Sequence, residues 1–67
     1  MTYDVIQKVN GNIVVKSSWK DNKASAKQAF HDVCKLLYAD ADVTSGVVAI
    51  LDDNFDVLEG CKEFIVK

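Results

Sequence analysis

The chain has 67 residues, of which 49 % are hydrophobic and 27 % charged, and its formal net charge is −2. This composition is typical of a folded globular domain and excludes a disordered chain. The sequence has no run of 18 apolar residues, the length that would predict a membrane span. Its basic residues are all lysine, so it lacks the arginine that binds phosphate in a bidentate way. A domain this short buries only about 60 % of its unfolded surface, so a second subunit is a common source of further stability.

The first two strands are predicted over residues 3–9 and 13–19, where polar and apolar residues alternate. Asn10-Gly11 between them is the strongest short hairpin signal. A two-residue loop would mix polar and apolar side chains on both faces. A three-residue loop, with Gly11 left-handed in a bulge, gathers the large apolar residues on one face, and we expect that loop. The pairs it predicts are Val9 with Ile13, Val5 with Ser17 and Tyr3 with Trp19.

One helix is predicted over Ser25–Tyr38, the only segment with a helical repeat of apolar residues. Ser25 followed by Gln28 fits a capping box, and Asn22 is the alternative N-cap one turn earlier. The apolar stripe contains Ala26, Ala29, Phe30, Val33 and Leu37, and Cys34 and Ala41 widen it.

The second half of the chain predicts two more strands. Val47–Leu51 is an uninterrupted run of β-type residues, 52–54 is a turn, and Phe55–Leu58 begins a fourth strand in which Gly60 marks a bend or bulge. The predicted fold is α+β, a two-layer ββαββ arrangement forming a single domain over residues 1–67. We expect one helix on one face of a four-stranded antiparallel sheet with strand order 2-1-3-4.

The apolar content of these strands exceeds what one helix can cover. A strand that is apolar throughout is typically covered on both faces, and the chain has no second element for the other face. We therefore expect a homodimer packed sheet to sheet or through strand edges, with a monomer as the alternative. The possible self-association face comprises Ile6, Val14, Val48 and Ile50.

The candidate chemical sites are weak. Asp52, Asn54 and Asp56, with Glu63, match ligand positions of a calcium-binding loop, but Val57 stands where that loop needs glycine, so we interpret the segment as a hairpin turn. His31 and Cys34, three apart on the helix, are interpreted as structural. We expect no metal, no cofactor and no catalytic residue, and hence a non-enzymatic protein.

A lysine-rich segment around one aromatic residue is the alternative binding site. Lysines beside Trp19 could hold a nucleic-acid strand while the indole stacks on a base, but the acidic net charge and the missing arginine make nucleic acid the less favoured partner. The residues of this patch are Lys16, Trp19, Lys20, Lys23 and Lys27.

Two features indicate the compartment. Cys34 and Cys61 form no CxxC pair, and we expect two buried thiols in a reducing compartment. The N-terminal residues MTYDVIQK lack a basic leader with an apolar run. We therefore expect a cytoplasmic protein without membrane association.

A set of core and turn residues carries a family resemblance over nearly the whole chain. The set comprises Val5-Ile6, Asn10-Gly11-Asn12, Ala26-x-x-x-Phe30-His31-x-x-Cys34-x-x-Leu37, Val43 and Val47–Asp52. It resembles small uncharacterised ββαββ proteins encoded by Gram-positive gut bacteria and their phages or other mobile elements. The resemblance implies a compact two-layer fold and transfers no activity. Since small mobile-element proteins often bind other proteins, it favours a small interaction module with a protein partner.

Overall fold

The computed structural model describes all 67 residues as one antiparallel sheet with a helix packed on one face. In chain order the elements are β1 (Thr2–Val9), β2 (Asn12–Lys20), α1 (Lys23–Ala39), β3 (Ser45–Leu51) and β4 (Val57–Val66). The strand order is β2-β1-β3-β4. The predicted α+β class, the ββαββ element order and the 2-1-3-4 topology are therefore confirmed.

The turn between β1 and β2 has two residues, so the predicted three-residue loop is wrong. Val9 pairs with Asn12, and φ is +52° at Asn10 and +83° at Gly11. Positive φ at both central positions is the type I′ geometry that matches the twist of a hairpin and that Asn-Gly adopts with little strain.

A bulge within β2 restores the pairing that was predicted farther from the turn. The register shifts between Val5 and Ile6, so Lys16 is the extra residue on β2. Beyond it Val5 pairs with Ser17 and Tyr3 with Trp19, as expected. One inserted residue shifts the alternation of a strand by one position, which explains how a two-residue turn still places Trp19 on the helix side.

The helix begins two residues earlier than predicted, because Asn22 is its N-cap. The Oδ1 atom of Asn22 accepts a hydrogen bond from the backbone N–H of Ser25 at 3.0 Å, so the alternative cap was the correct one and Ser25 lies inside the helix. At the other end, the Nζ of Lys67 donates to the carbonyl oxygens of Leu37 (2.8 Å) and Asp40. This ammonium group is a second donor at the C-terminal end of the helix, because the Leu37 and Asp40 carbonyl oxygens also accept from the backbone N–H groups of Asp40 (3.4 Å) and Val43 (3.2 Å).

The connection from β3 to β4 is a turn organised by one carboxylate. The Oδ1 of Asp52 accepts hydrogen bonds from the backbone N–H groups of Asn54 (2.8 Å) and Asp56 (3.0 Å). Phe55 lies in this turn with φ +62°, so its predicted place in the fourth strand is wrong. Gly60 has φ +78° and lies where the β3–β4 register is irregular, which confirms the predicted bulge.

The hydrophobic core lies between α1 and the sheet. The helix contributes the predicted stripe, although Ala29 is only half-buried and Ala41 is exposed. No buried side-chain nitrogen or oxygen lacks a hydrogen-bond partner, as expected for a well-formed core. The core cluster comprises Val5, Ala26, Phe30, Val33, Cys34, Leu37, Val43, Val48, Ile50, Cys61 and Ile65.

Candidate interaction face

The two faces of the sheet are distinguished by the alternation of β1. Val5 is fully buried in the core, and Tyr3 and Val9 pack against the same core. Since successive side chains of a strand point to opposite faces, Asp4, Ile6 and Lys8 lie on the face away from the helix. We call this side of the sheet, with the cross-strand neighbours of these residues, the open face.

The open face is largely apolar. Ile6 pairs with Val15 and Ala49, and Lys8 pairs with Ile13 and Val47. Ten large hydrophobic residues of the chain are exposed, and half of them lie on this face, where Phe64 is 64 % exposed. A continuous apolar patch of this kind marks an interaction site more often than scattered exposed residues do. Its apolar members are Ile6, Ile13, Val15, Val47, Ala49, Leu51, Val57, Phe64 and Val66.

The charged side chains on the open face include Asp4 and Lys8 of β1, Lys20 of β2 and Lys62 of β4. Asp4 accepts a hydrogen bond from the hydroxyl of Ser18 at 2.6 Å. Lys8 is exposed two residues farther along β1 than Ile6. The Nζ of Lys62, on the outermost strand β4, lies 4.9 Å from the centre of the Phe64 ring, a cation–π distance. No salt bridge joins these charges within the chain, so the charges of Asp4 and Lys8 are free to pair with a partner.

A shallow depression of about 300 Å³ lies at the hairpin end of this sheet. It is open to solvent and more apolar than polar, and Lys8 is the one charged residue at its rim. An open, shallow site of this kind suits a protein surface better than the enclosed pocket that a small substrate needs. The lining residues are Lys8, Asn10, Gly11, Ser45, Gly46, Val47, Phe64, Ile65 and Val66.

Of the four residues predicted for the self-association face, only Ile6 lies on the open face. Val48 and Ile50 have no exposed surface and belong to the core under α1, so their placement was wrong. Val14 pairs with Gln7. Gln7 is two residues from Val5 and lies on the same, helix side of the sheet, so Val14 points to the helix side as well. The physical reason is that Val47–Leu51 is apolar at every position, so its sequence does not indicate which residues face the helix.

Every apolar member of the open face except Ile6 was missed by the sequence prediction. The two-residue turn places Ile13 and Val15 opposite Lys8 and Ile6, and the bulge at Lys16 changes the face only of the residues beyond it. The apolar run Phe64–Val66 does not indicate by its sequence which residues face the helix. The pairing of the buried Val5 with Ile50 assigns Val47 and Ala49 to the other face by parity, and this register is not visible in the sequence.

The predicted nucleic-acid patch does not form one exposed surface with its aromatic residue. Trp19 is half-buried against the core, and its Nε1 donates a hydrogen bond to the Ser17 hydroxyl at 3.0 Å. Lys16 lies in the bulge of β2 and Lys20 at the end of that strand, while Lys23 and Lys27 lie on α1. An indole already packed on the core has less free surface for stacking on a base.

The weaker chemical candidates are used structurally or are separated. The Asp52 carboxylate accepts two backbone N–H groups of its own turn, as expected of an Asx turn. His31 is exposed and packs edge-on to Phe30, with ring centroids 5.3 Å apart, whereas Cys34 is buried. No group of three or more His, Cys, Asp or Glu side chains is close enough to hold a metal ion.

Two groups between α1 and β4 have shifted pKa values. Tyr38 donates a hydrogen bond from its hydroxyl to the Glu63 carboxylate at 2.9 Å, and this bond raises the pKa of Tyr38. Burial raises the pKa of the Cys34 thiol, which therefore stays protonated and unreactive near neutral pH. Cys34 and Cys61 are both free and buried, as predicted.

Comparison of the chain with protein-family models, curated proteins and solved structures found no match. The resemblance to small proteins of Gram-positive gut bacteria and their mobile elements therefore stays a prediction. The single helix, of 17 residues, is neither long nor apolar enough to cross a membrane.

Proposed function

We propose that this protein is a small non-enzymatic interaction module that forms a homodimer through the open face of its sheet. The observation that carries the proposal is the asymmetry of the sheet. One face is covered by α1, and the other presents a continuous set of apolar side chains with no element of the chain over them. A second sheet of the same kind would cover these side chains in a β-sandwich packing about 10 Å thick.

The strand edges support face-to-face packing over edge pairing. The outer strands are β2 and β4, and each carries an irregularity, at Lys16 in β2 and around Gly60 in β4. Bulges in edge strands interrupt the row of free N–H and C=O groups that another strand would need. The open face is the larger uninterrupted surface.

The size of the chain supports the same proposal. A standard protein interface buries about 800 Å² on each partner, which is close to a fifth of the 4417 Å² of accessible surface of this chain. Burying that area would add apolar stabilisation to a chain whose own core is small.

The two free, buried thiols fit a reducing compartment. We therefore place the dimer in the cytoplasm, and we propose that a further protein partner binds it there.

Sedimentation equilibrium at micromolar concentration tests the proposal. We expect a particle of twice the 7.4 kDa chain mass. Phe64→Glu should raise the dimer Kd by at least about tenfold, because it places a charge in the apolar face. Leu36→Glu is the matched control, since Leu36 is 66 % exposed on the helix and Phe64 is 64 % exposed on the open face.

The control variant should dimerise like the wild-type chain. A wild-type particle of 7.4 kDa throughout the concentration series, or loss of the dimer in Leu36→Glu and not in Phe64→Glu, would contradict the proposal. Circular dichroism of both variants establishes that each is folded before the comparison is made.

A further inference from the structure

The charges of β1 on the open face form a symmetric pattern. Asp4, Ile6 and Lys8 are successive residues on this face, so an acid and a base lie about 6.8 Å on either side of an apolar residue. A pattern of this kind is its own complement when it is reversed end to end. The second copy that the proposed function requires would therefore meet opposite charges in one orientation.

When two sheets pack with their strands roughly aligned, a two-fold axis can bring the open face onto itself in two ways. An axis across the strands through Ile6 reverses their direction and places Asp4 opposite the second copy's Lys8, twice over. An axis along β1 places each charge opposite the same charge. A parallel axis midway between β1 and β3 places Asp4 opposite the second copy's Leu51 and Lys8 opposite its Val47. Each charge would then lose solvent without gaining a partner.

The crossed axis also matches the apolar rows. Leu51 lies beside Asp4 and Val47 beside Lys8, so the same rotation places Leu51 opposite the second copy's Val47. Face-packed sheets cross at about 30°, which displaces opposed positions at this distance by only ~3–4 Å, within reach of a lysine side chain. Lys62 shares the row of Ile6 and Ala49, so the same axis places it opposite the second copy's Lys62. It is exposed on the outermost strand with its ammonium over Phe64, where solvent and salt screen the two like charges.

We propose that the partner of the open face is a second copy of this chain in antiparallel orientation, with β1 crossing β1 at Ile6 and two Asp4–Lys8 ion pairs across the interface. This arrangement rests on the proposed function, because it specifies how the homodimer is built. The ion pairs select the orientation and exclude other apolar surfaces, since like charges brought together at an interface are strongly unfavourable.

The test reverses the charges one at a time and then together in the full-length chain. Asp4→Lys leaves two positive charges on β1 and Lys8→Asp leaves two negative ones. We expect each to raise the dimer Kd, measured by sedimentation equilibrium, by at least about tenfold. The double variant Asp4→Lys/Lys8→Asp keeps the self-complementary pattern in mirrored order, so its Kd should return to within about threefold of the wild-type value.

Mixing the two single variants tests whether β1 lies opposite β1, whereas the single reversals test the orientation. Each alone should be mainly monomeric, because its two like charges meet the same two charges of a second copy. An equimolar mixture should form a heterodimer, because the two lysines on β1 of the Asp4→Lys variant then face the two aspartates on β1 of the Lys8→Asp variant.

A wild-type dimer whose Kd is unchanged by either reversal, or a mixture that stays monomeric, would overturn the antiparallel arrangement and leave the proposed function standing. A wild-type chain that is monomeric overturns both. If a reversal unfolds the chain, Asp4→Asn and Lys8→Gln supply a double-mutant cycle on Kd, in which a coupling near zero overturns the arrangement.

Discussion

The two faces of the sheet are built from similar residues and have different surroundings. On the covered face, Val5, Val48 and Ile50 have no exposed surface. On the open face, Ile13 and Val15 are more than half exposed. Residue type therefore does not decide burial in this sheet. The position of the single helix does, and it leaves an apolar surface for which the chain itself has no cover.

The two faces also differ in their charges. On the covered face, Glu63 accepts a hydrogen bond from the Tyr38 hydroxyl of the helix, whereas Asp4 and Lys8 on the open face form no salt bridge within the chain. A buried core tolerates no unpaired charge, but an interface between two copies can use such charges to fix orientation. The open face therefore resembles half of an interface more than an ordinary solvated surface.

The largest effect is expected from the same substitution on the two faces. Ile50→Ala, on the covered face, should lower the free energy of unfolding by about 2–5 kcal/mol, because it leaves a cavity in the core. Ile13→Ala, on the open face, should change it by less than about 0.5 kcal/mol. Urea denaturation below the dimer Kd measures both. Equal losses would show that the two faces are not as different as the structure describes.

The next largest effect on stability is expected at the β1–β2 turn, which sets the register of these two strands. Gly11 has φ +83°, and a Cβ added there would meet no atom within 4 Å, so Gly11→Ala should cost about 1–2 kcal/mol through backbone strain alone. Asn10→Gly, at φ +52°, is the matched variant and should be within about 0.5 kcal/mol of wild type. Thermal or urea unfolding checks both, and a harmless Gly11→Ala would argue against the type I′ turn.

A smaller effect on stability is expected from shortening β2. Deletion of Lys16 removes the bulge residue and leaves every pair of β1 with β2 in place, so we expect a change below about 1 kcal/mol and an intact dimer. Deletion of Val14 is the matched control. If the bulge absorbs that deletion, Lys16 takes the place of Val15 opposite Ile6, and the dimer Kd should rise. Similar Kd values for the two deletions would contradict the assigned register.

The smallest effect is a pH dependence at the contact between α1 and β4. The folded-state pKa of Tyr38 is raised by its hydrogen bond to Glu63. The bond therefore stabilises the fold fully below the unfolded tyrosine pKa of about 10 and is lost as pH rises through the higher folded value.

When the pH is raised from about 9 to about 11, the free energy of unfolding of Tyr38→Phe should accordingly fall by less than that of the wild-type chain. Urea midpoints at both pH values make the comparison, and the titration of Cys34, whose pKa burial also raises, is common to both proteins. Parallel pH profiles would show that the Tyr38–Glu63 bond does not contribute.

The sequence predicted the element order, the topology and the helix stripe, because these follow from periodicity and from the length of the crossover. It also predicted that the sheet has more apolar surface than one helix covers. It failed on which residues form that surface. Val48 and Ile50 are in a run without alternation, and the two-residue turn, compensated by the bulge at Lys16, decides the face of Val15. Both outcomes depend on tertiary pairing, which local pattern does not contain.

In the proposed homodimer the open face is where two copies of this chain meet. Isotope-filtered NMR on an equimolar mixture of labelled and unlabelled chains measures contacts between copies directly. We expect intermolecular NOEs among methyl groups of Ile6, Val15 and Val47, with none from Leu36 on the helix. Absence of intermolecular NOEs at millimolar concentration, or NOEs that arise only from the outer side of α1, would contradict the claim.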